Sequence, residues 1–183
     1  MPESRETMKI TPVMQKYILH WGEMGTRWGV NRTVAQIHSL LYLSPKPLPA
    51  EDIAELLSVA RSNVSNSLKE LQAWGLISVK RELGDRRDFF SAKDDTWDML
   101  MTILHERKKR EIDPTLTMLR QCVLEMENDK QTPQAVKDKI STMLTFVDTL
   151  NNWFNQVSGL PKTTLVKLMK LGGKVAKLLP AKG

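Results

Sequence analysis

Residues 59–77, "VARSNVSNSLKELQAWGLI", carry helical spacing yet spend serine and asparagine on the middle of the helix. Val64, Leu68 and Leu71 recur at intervals of four and three, the period of a helix with one buried face. Serine and asparagine weaken a helix interior because their side chains compete for backbone hydrogen bonds. At about 100° per residue, Ala60, Val64, Leu68 and Leu71 share an arc of roughly 80°, the expected core face. Arg61, Ser62, Ser65, Asn66 and Lys69 fall opposite, Ser67 projects toward the buried flank, and Asn63 lies at the border. Such a polar face is either an ordinary solvated surface or one suited to close approach to base edges. In the second case asparagine can bond adenine and arginine guanine from the first turns of a groove-inserted helix.

The neighbouring sequence favours the second case. Upstream, "SPKPLP" (44–49) breaks the helical pattern, and a short helix is expected over about 50–57, followed by a turn at Ser58 and Val59. Downstream, Gly75 ends the long helix, "LISV" (76–79) and "FFSA" (89–92) read as strands, and "KRELGDRRD" (80–88) forms a charged hairpin tip around Gly84 and Asp85. Lys80, Arg81, Arg86 and Arg87 gather in that tip, diluted by Glu82 and Asp85. After a helix-turn-helix, a basic tip of this kind reaches the adjacent minor groove, where arginine responds to the narrow-groove potential.

Farther out the chain is helical. The spacing predicts a helix from about Pro12 to Trp28, with Tyr17, Ile18, Trp21, Met24, Gly25 and Trp28 on one face. Gly29 should stop it, and Asn31 should cap a second helix. After the hairpin, Asp94, Asp95 and Asp98 stand near the start of a helix with Trp97, Leu100, Met101 and Leu104 as its stripe. Asp113-Pro114 and Thr132-Pro133 each read as a cap followed by proline at the first helical position. The expected fold class is mainly α with a small β-hairpin wing: a winged helix-turn-helix flanked by N- and C-terminal dimerisation helices. It divides into a flexible start (1–9), N-terminal helices (10–43), the DNA-binding region (44–93), C-terminal dimerisation helices (94–158) and a basic amphipathic tail (159–183).

Charge agrees with that division. The net charge is +6, but residues 159–183 hold six lysines and no acid, so the first 158 residues carry 21 charges of each sign. DNA affinity in the body must therefore come from local clustering. The polar opening "MPESRETMKI" gives no secretory signal, and the single Cys122 fits a reducing compartment, so a cytoplasmic protein is expected, nucleoid-associated when bound to DNA.

"LPAEDIAELLSVARSNVSNSLKELQAWGLI", "GDRRDFF" and "DTWDMLMTILHERKKREIDPTLTMLR" together resemble the GbsR-like branch of the MarR regulators, over roughly residues 10–128. The resemblance implies a homodimeric bacterial transcription factor, usually a repressor, on an inverted-repeat operator. In the named members it implies control of choline and glycine-betaine genes, with choline-type effectors. It also implies Arg87 as the minor-groove arginine and Asp85 as its orienting carboxylate, with Arg86 as a rival. The sequence departs from the pattern at Ser91, where an apolar residue is usual, at Ser58, where glycine is usual, and at Ala60, where a capping hydroxyl is usual. The recognition helix is thus expected to act through Arg61, Ser62, Asn63, Ser65, Asn66 and Lys69, and the wing through Lys80, Arg81, Asp85, Arg86 and Arg87.

Three features stay open on sequence grounds. Tyr17, Trp21, Trp28 and Trp97 either cage a cationic effector by cation–π contact or serve as core and dimer interface. The run Arg107-Lys108-Lys109-Arg110 either contacts phosphates or complements a helix macrodipole. The tail, with Leu165, Leu168, Met169 and Leu171 beside lysines and interrupted at Gly172-Gly173, suits dimerisation, DNA or a membrane surface, in that order. An alternative function follows from the tail: a membrane-surface or scaffold protein using the winged helix for protein contacts. His20, His38, His105 and Cys122 lack metal-ligand spacing, and no nucleophile–base pair stands out, so neither an enzyme nor a cofactor is expected.

Overall fold

Two side-chain caps begin the first helices. Thr11 Oγ1 accepts the Met14 N–H at 3.3 Å and Asn31 Oδ1 accepts that of Thr33 at 2.8 Å, setting the starts of α1 (Pro12–Arg27) and α2 (Arg32–Leu43). Gly29, at φ +74°, makes the turn between them. The two helices pack closely: a Cβ on Gly25 would stand 2.6 Å from the Ala35 Cβ, so glycine is what lets them touch. The computed structural model describes residues 8–175; seven residues of the expected flexible start and residues 176–183 of the tail lie outside them.

A third helix, α3 (Ala50–Leu57), turns through Ser58 into α4 (Arg61–Ala73). Ser58 adopts the left-handed region (φ 53°) that explains the usual glycine here, and the Val59 N–H closes the turn on the Ala54 carbonyl at 3.0 Å. Ala60 supplies no side-chain cap to α4. It is also exposed, contrary to its expected place on the core face: as cap it has extended backbone (φ −63°, ψ 141°), so the helical wheel does not apply to it.

The sheet has three strands, where two were expected. β1 (Leu48–Pro49), β2 (Ile77–Arg81) and β3 (Asp88–Ala92) lie antiparallel in the order β1-β3-β2. Leu48 pairs with Phe90 and Pro49 with Phe89, and the edge position tolerates the missing N–H of Pro49. Ser78 faces Ser91 across the other ladder and their hydroxyls bond at 2.8 Å, which gives the polar residue at position 91 a partner.

One core joins these elements. Ile37 and Leu40 of α2, Ile53 of α3 and Val64 of α4 are fully buried, with Ile18, Leu68, Leu71, Ile77 and Phe90 packed around them. Fully burying a side chain of this kind contributes about 1.5–3 kcal/mol, so packing easily offsets the poor propensities along α4. Asp95 caps α5 (Thr96–Arg107), its Oδ1 accepting the Trp97 N–H at 2.7 Å and that of Asp98 at 3.1 Å. Met99 and Ile103 meet the core, whereas Leu100 and Leu104 of the expected stripe are exposed.

The chain forms two compact units, Met1–Ile103 and Leu104–Gly183. In the second, a π-helical turn (Lys108–Ile112) runs straight into α6 (Asp113–Met126). Asp113 is therefore helical rather than a cap, and its carboxylate takes Lys108 Nζ at 2.6 Å. α7 (Gln134–Ser158) starts after Pro133, and the preceding turn is held by Asp129, which accepts the Gln131 and Thr132 N–H groups in place of the expected Thr132 cap. α8 (Lys162–Val175) continues through Gly172 and Gly173, where an interruption was expected.

Candidate nucleic-acid interface and effector cavity

The fold separates the two faces of α4. Val64, Ser67, Leu68 and Leu71 are buried, and Arg61, Ser62, Asn63, Ser65, Asn66 and Lys69 are exposed, so Asn63 belongs to the polar face. Ser67 is small enough to sit inside at 5% exposure. The exposed side chains near the amino end are short, and the first N–H groups of α4 have no side-chain cap. That end combines unsatisfied donors, the positive pole of the helix dipole and Arg61, a combination suited to phosphate.

The wing sorts its cations. Asp85 Oδ1 accepts both the backbone N–H and Nε of Arg87 at 3.0 Å, and Oδ2 takes Nη2 at 2.5 Å. The Arg87 guanidinium also lies 5.1 Å from the centre of the Phe89 ring. Its pKa is raised, first by the hydrogen bond to Asp85 and then by the nearby acids Asp85, Asp52 and Glu51. Arg81 Nε bonds Asp88 at 2.8 Å across the strands. The side chains of Arg86 and Lys80 are exposed and, among the described residues, enter no side-chain hydrogen bond or ion pair. Gly84 (φ +88°) turns the tip, beside a fully exposed Leu83. Arg87 is thus held in one orientation while Arg86 is free to reach outward.

The run at 107–110 is largely neutralised where it stands. Arg107 pairs with Glu111 at 3.5 Å, Lys108 with Asp113 at 2.6 Å and Arg110 with Glu106 at 3.8 Å. Local ion pairs account for it, a reading that macrodipole complementarity alone did not supply.

In the first unit, α1, α2, α4 and α5 line a partly open cavity of about 110 Å³, with Trp21 and Trp28 at its exposed side. Tyr17, Trp21 and Trp28 line it and Trp97 does not; Trp74, Tyr42 and His38 complete the wall. The Tyr17 and Trp21 rings meet at 5.9 Å, tilted by 56°. The Tyr42 hydroxyl bonds the Thr96 hydroxyl at 2.9 Å, fastening α2 to the start of α5. Burial lowers the His38 pKa to about 4, and burial likewise pushes the Tyr17 hydroxyl above its ordinary value. Leu71, Trp74 and Leu76, at the carboxyl end of the polar-faced helix and just beyond it, form the opposite wall. A histidine on the apolar stripe of α2 was the available signal for this site, but nothing local in the sequence joins position 38 to position 74.

Residues 28–88 match the family model described as "MarR family". That match ends at the first residue of β3, so it contains α4 and the whole wing tip. A Bacillus subtilis (strain 168) protein named "Putative HTH-type transcriptional regulator YvaV" is 19% identical over 136 residues, 73% of this chain and 76% of that protein. A solved structure titled as a transcriptional regulator superposes with a TM-score of 0.64 at 16% identity, over 81% of this chain and 97% of its own, and shares the winged-helix fold. A MepR variant of S. aureus bound to an oligodeoxyribonucleotide matches at a TM-score of 0.38 and 17% identity, over 75% of this chain and 90% of its own. Among the described residues no group of three or more histidine, cysteine, aspartate or glutamate side chains could hold a metal ion.

Proposed function

We propose that the protein is a homodimeric, sequence-specific DNA-binding repressor that responds to a small molecule held in the α1–α2–α4–α5 cavity. The observation that carries the DNA reading is the divided α4, with six polar residues exposed beside a basic wing, in a segment that matches the MarR family model. Ser62, Ser65 and Asn66 read base edges, Arg61 and Lys69 contact phosphates, and the wing enters the flanking minor groove with Arg87, preset by Asp85. Arg86 and Lys80 add phosphate contacts. Repression itself, and control of osmoprotectant genes, rest on the resemblance to GbsR-like regulators.

Dimerisation is supported by α7. Val136, Met143, Phe146, Leu150 and Trp153 are between 43% and 60% exposed and follow a seven-residue repeat along this 25-residue helix. At about 100° per residue they fill one stripe of roughly 100°, which a second copy of the same helix would cover. Effector control is supported by the shared wall: Leu71 and Trp74 bound the cavity, and Leu71 packs α4 in place, so filling the cavity biases where the polar face sits.

Binding of labelled duplexes across a salt series tests this reading. Asn66→Ala should change sequence preference, whereas Lys69→Ala should weaken all duplexes alike and reduce the log–log salt slope by about one. Absence of binding to every duplex at low salt would end the reading. The tail offers a second one, because α8 exposes Leu168, Met169 and Leu171 beside Lys167 and Lys170. Deleting 159–183 separates the two: specific DNA binding survives it, and binding to anionic vesicles, if that is the tail's role, is lost.

A further inference from the structure

The carboxyl-terminal segment joins a cationic face to an apolar one. Residues 159–183 hold six lysines and no acid. Lysine recurs at 167, 170, 174 and 177, in steps of three, four and three, which is the helical period. In α8, Lys167 and Lys170 are exposed and, among the described residues, enter no side-chain hydrogen bond or ion pair. At about 100° per residue these two lie roughly 60° apart, and Leu165, Leu168, Met169 and Leu171 fill an arc of roughly 160° on the other side. The half-buried Val166 stands between the two faces.

The protein itself uses only part of the apolar face. Leu165, at 6% exposure, ties down the first turn of the helix, whereas Leu168, Met169 and Leu171 are 44%, 70% and 45% exposed. Among the described residues no helix is long and apolar enough to cross a membrane, so a contact of α8 with lipid lies in the plane of the surface. Each kind of occupant meets the two faces differently. Duplex phosphates would match the lysines but leave the leucine row in water. A second protein helix would cover the row but gain nothing from a lysine face free of acids, and α7 already offers a longer stripe for that purpose. An anionic bilayer matches both faces. Its headgroups attract the lysines, whose flexible stems reach past the row, while the apolar side chains enter the acyl boundary.

We propose that α8 docks on the surface of an anionic lipid bilayer, with Leu168, Met169 and Leu171 in the acyl boundary and Lys167 and Lys170 at the headgroup phosphates. The inference rests on the second reading of the tail given above and is independent of the DNA reading.

Flotation of the full-length protein with vesicles tests it, beside binding of a labelled duplex by the same preparations. Vesicles of phosphatidylcholine and phosphatidylglycerol, roughly two to one, should carry the protein up, and phosphatidylcholine alone should bind it roughly tenfold or more weakly. Lys167→Gln with Lys170→Gln should weaken binding to the anionic vesicles by about tenfold, and Leu168→Gln with Met169→Gln by a similar factor. Both pairs are exposed, and duplex binding should stay within about twofold of wild type. The wild-type comparison of the two vesicles stands even where a variant does not fold. Unchanged vesicle binding by Leu168→Gln with Met169→Gln would overturn the docked helix and leave only loose charge attraction. A lysine pair whose loss weakens the duplex as much as the vesicle would make the tail a DNA arm instead. Wild-type protein that binds the duplex but no anionic vesicle would overturn this inference alone; binding to neither would end the DNA reading as well.

Discussion

α4 and α7 are both amphipathic, yet their apolar faces meet different fates. Val64, Leu68 and Leu71 of α4 are at most 2% exposed, sealed by α2 and α3 within their own unit. α7, nearly twice as long, has no buried residue, and its outward stripe includes Phe146 and Trp153 at 58% and 60% exposure. A helix whose apolar face is satisfied internally can devote the opposite face to recognition. One whose face is left open requires a partner. The partner proposed for the first helix is DNA, and for the second a second copy of the chain.

Single substitutions should behave differently on the two helices. Leu68→Ala should cost about 2–5 kcal/mol of unfolding free energy, independent of protein concentration, because it opens a cavity in a closed core. Denaturant titrations at two concentrations check both the size and that independence. Phe146→Asp with Leu150→Asp should leave each unit folded but raise the dimer dissociation constant roughly hundredfold or more, by placing charges in a desolvated interface. Sedimentation equilibrium would show a monomer. If the double variant instead unfolds and the wild type is itself monomeric, the contrast between the helices is wrong.

A smaller effect tests the cavity beside α4. His38 has a folded pKa of about 4 against an ordinary 6.5, so the unfolded chain binds this proton first as the pH falls. The stability from keeping His38 neutral is intact above pH 6.5 and is lost as the pH drops toward 4. Between pH 7 and 5 that loss should be about 2 kcal/mol. His38→Phe should remove this part of the pH dependence, measured by denaturant unfolding at the two pH values.

Much of the fold was legible because local rules and tertiary packing agree. The spacing of Val64, Leu68 and Leu71, the Asn31 cap, and the turns at Gly29, Gly75 and Gly84 all stand where periodicity and backbone freedom put them. Misreadings arose where more than one local solution exists. α5 offers two apolar arcs, and the position of the core selected Met99 and Ile103 over Leu100 and Leu104. Asp113-Pro114 resembles a helix start, but Lys108 claims the carboxylate and a π-helical turn carries the backbone through. β1 is two residues long, too short for an alternating pattern, and exists because Phe89 and Phe90 present a pairing edge. The exposed face of α4 could be placed from sequence, since exposure follows from the same period as burial. The cavity could be only half seen: the rings of α1 were visible, but His38 and Trp74 join them through contacts distant in the chain.

Selection of bound duplexes from a random pool, followed by the same selection with Asn66→Ala, tests the central claim most directly. The account predicts enrichment of a pseudo-palindrome whose half-sites lie about 10–10.5 base pairs apart, or a multiple of that, with the variant changing preference at one symmetric position of each half-site. A pool that stays random at low salt, or an identical enriched sequence for wild type and variant with equal affinity, would contradict the assignment of α4 as the helix that reads DNA.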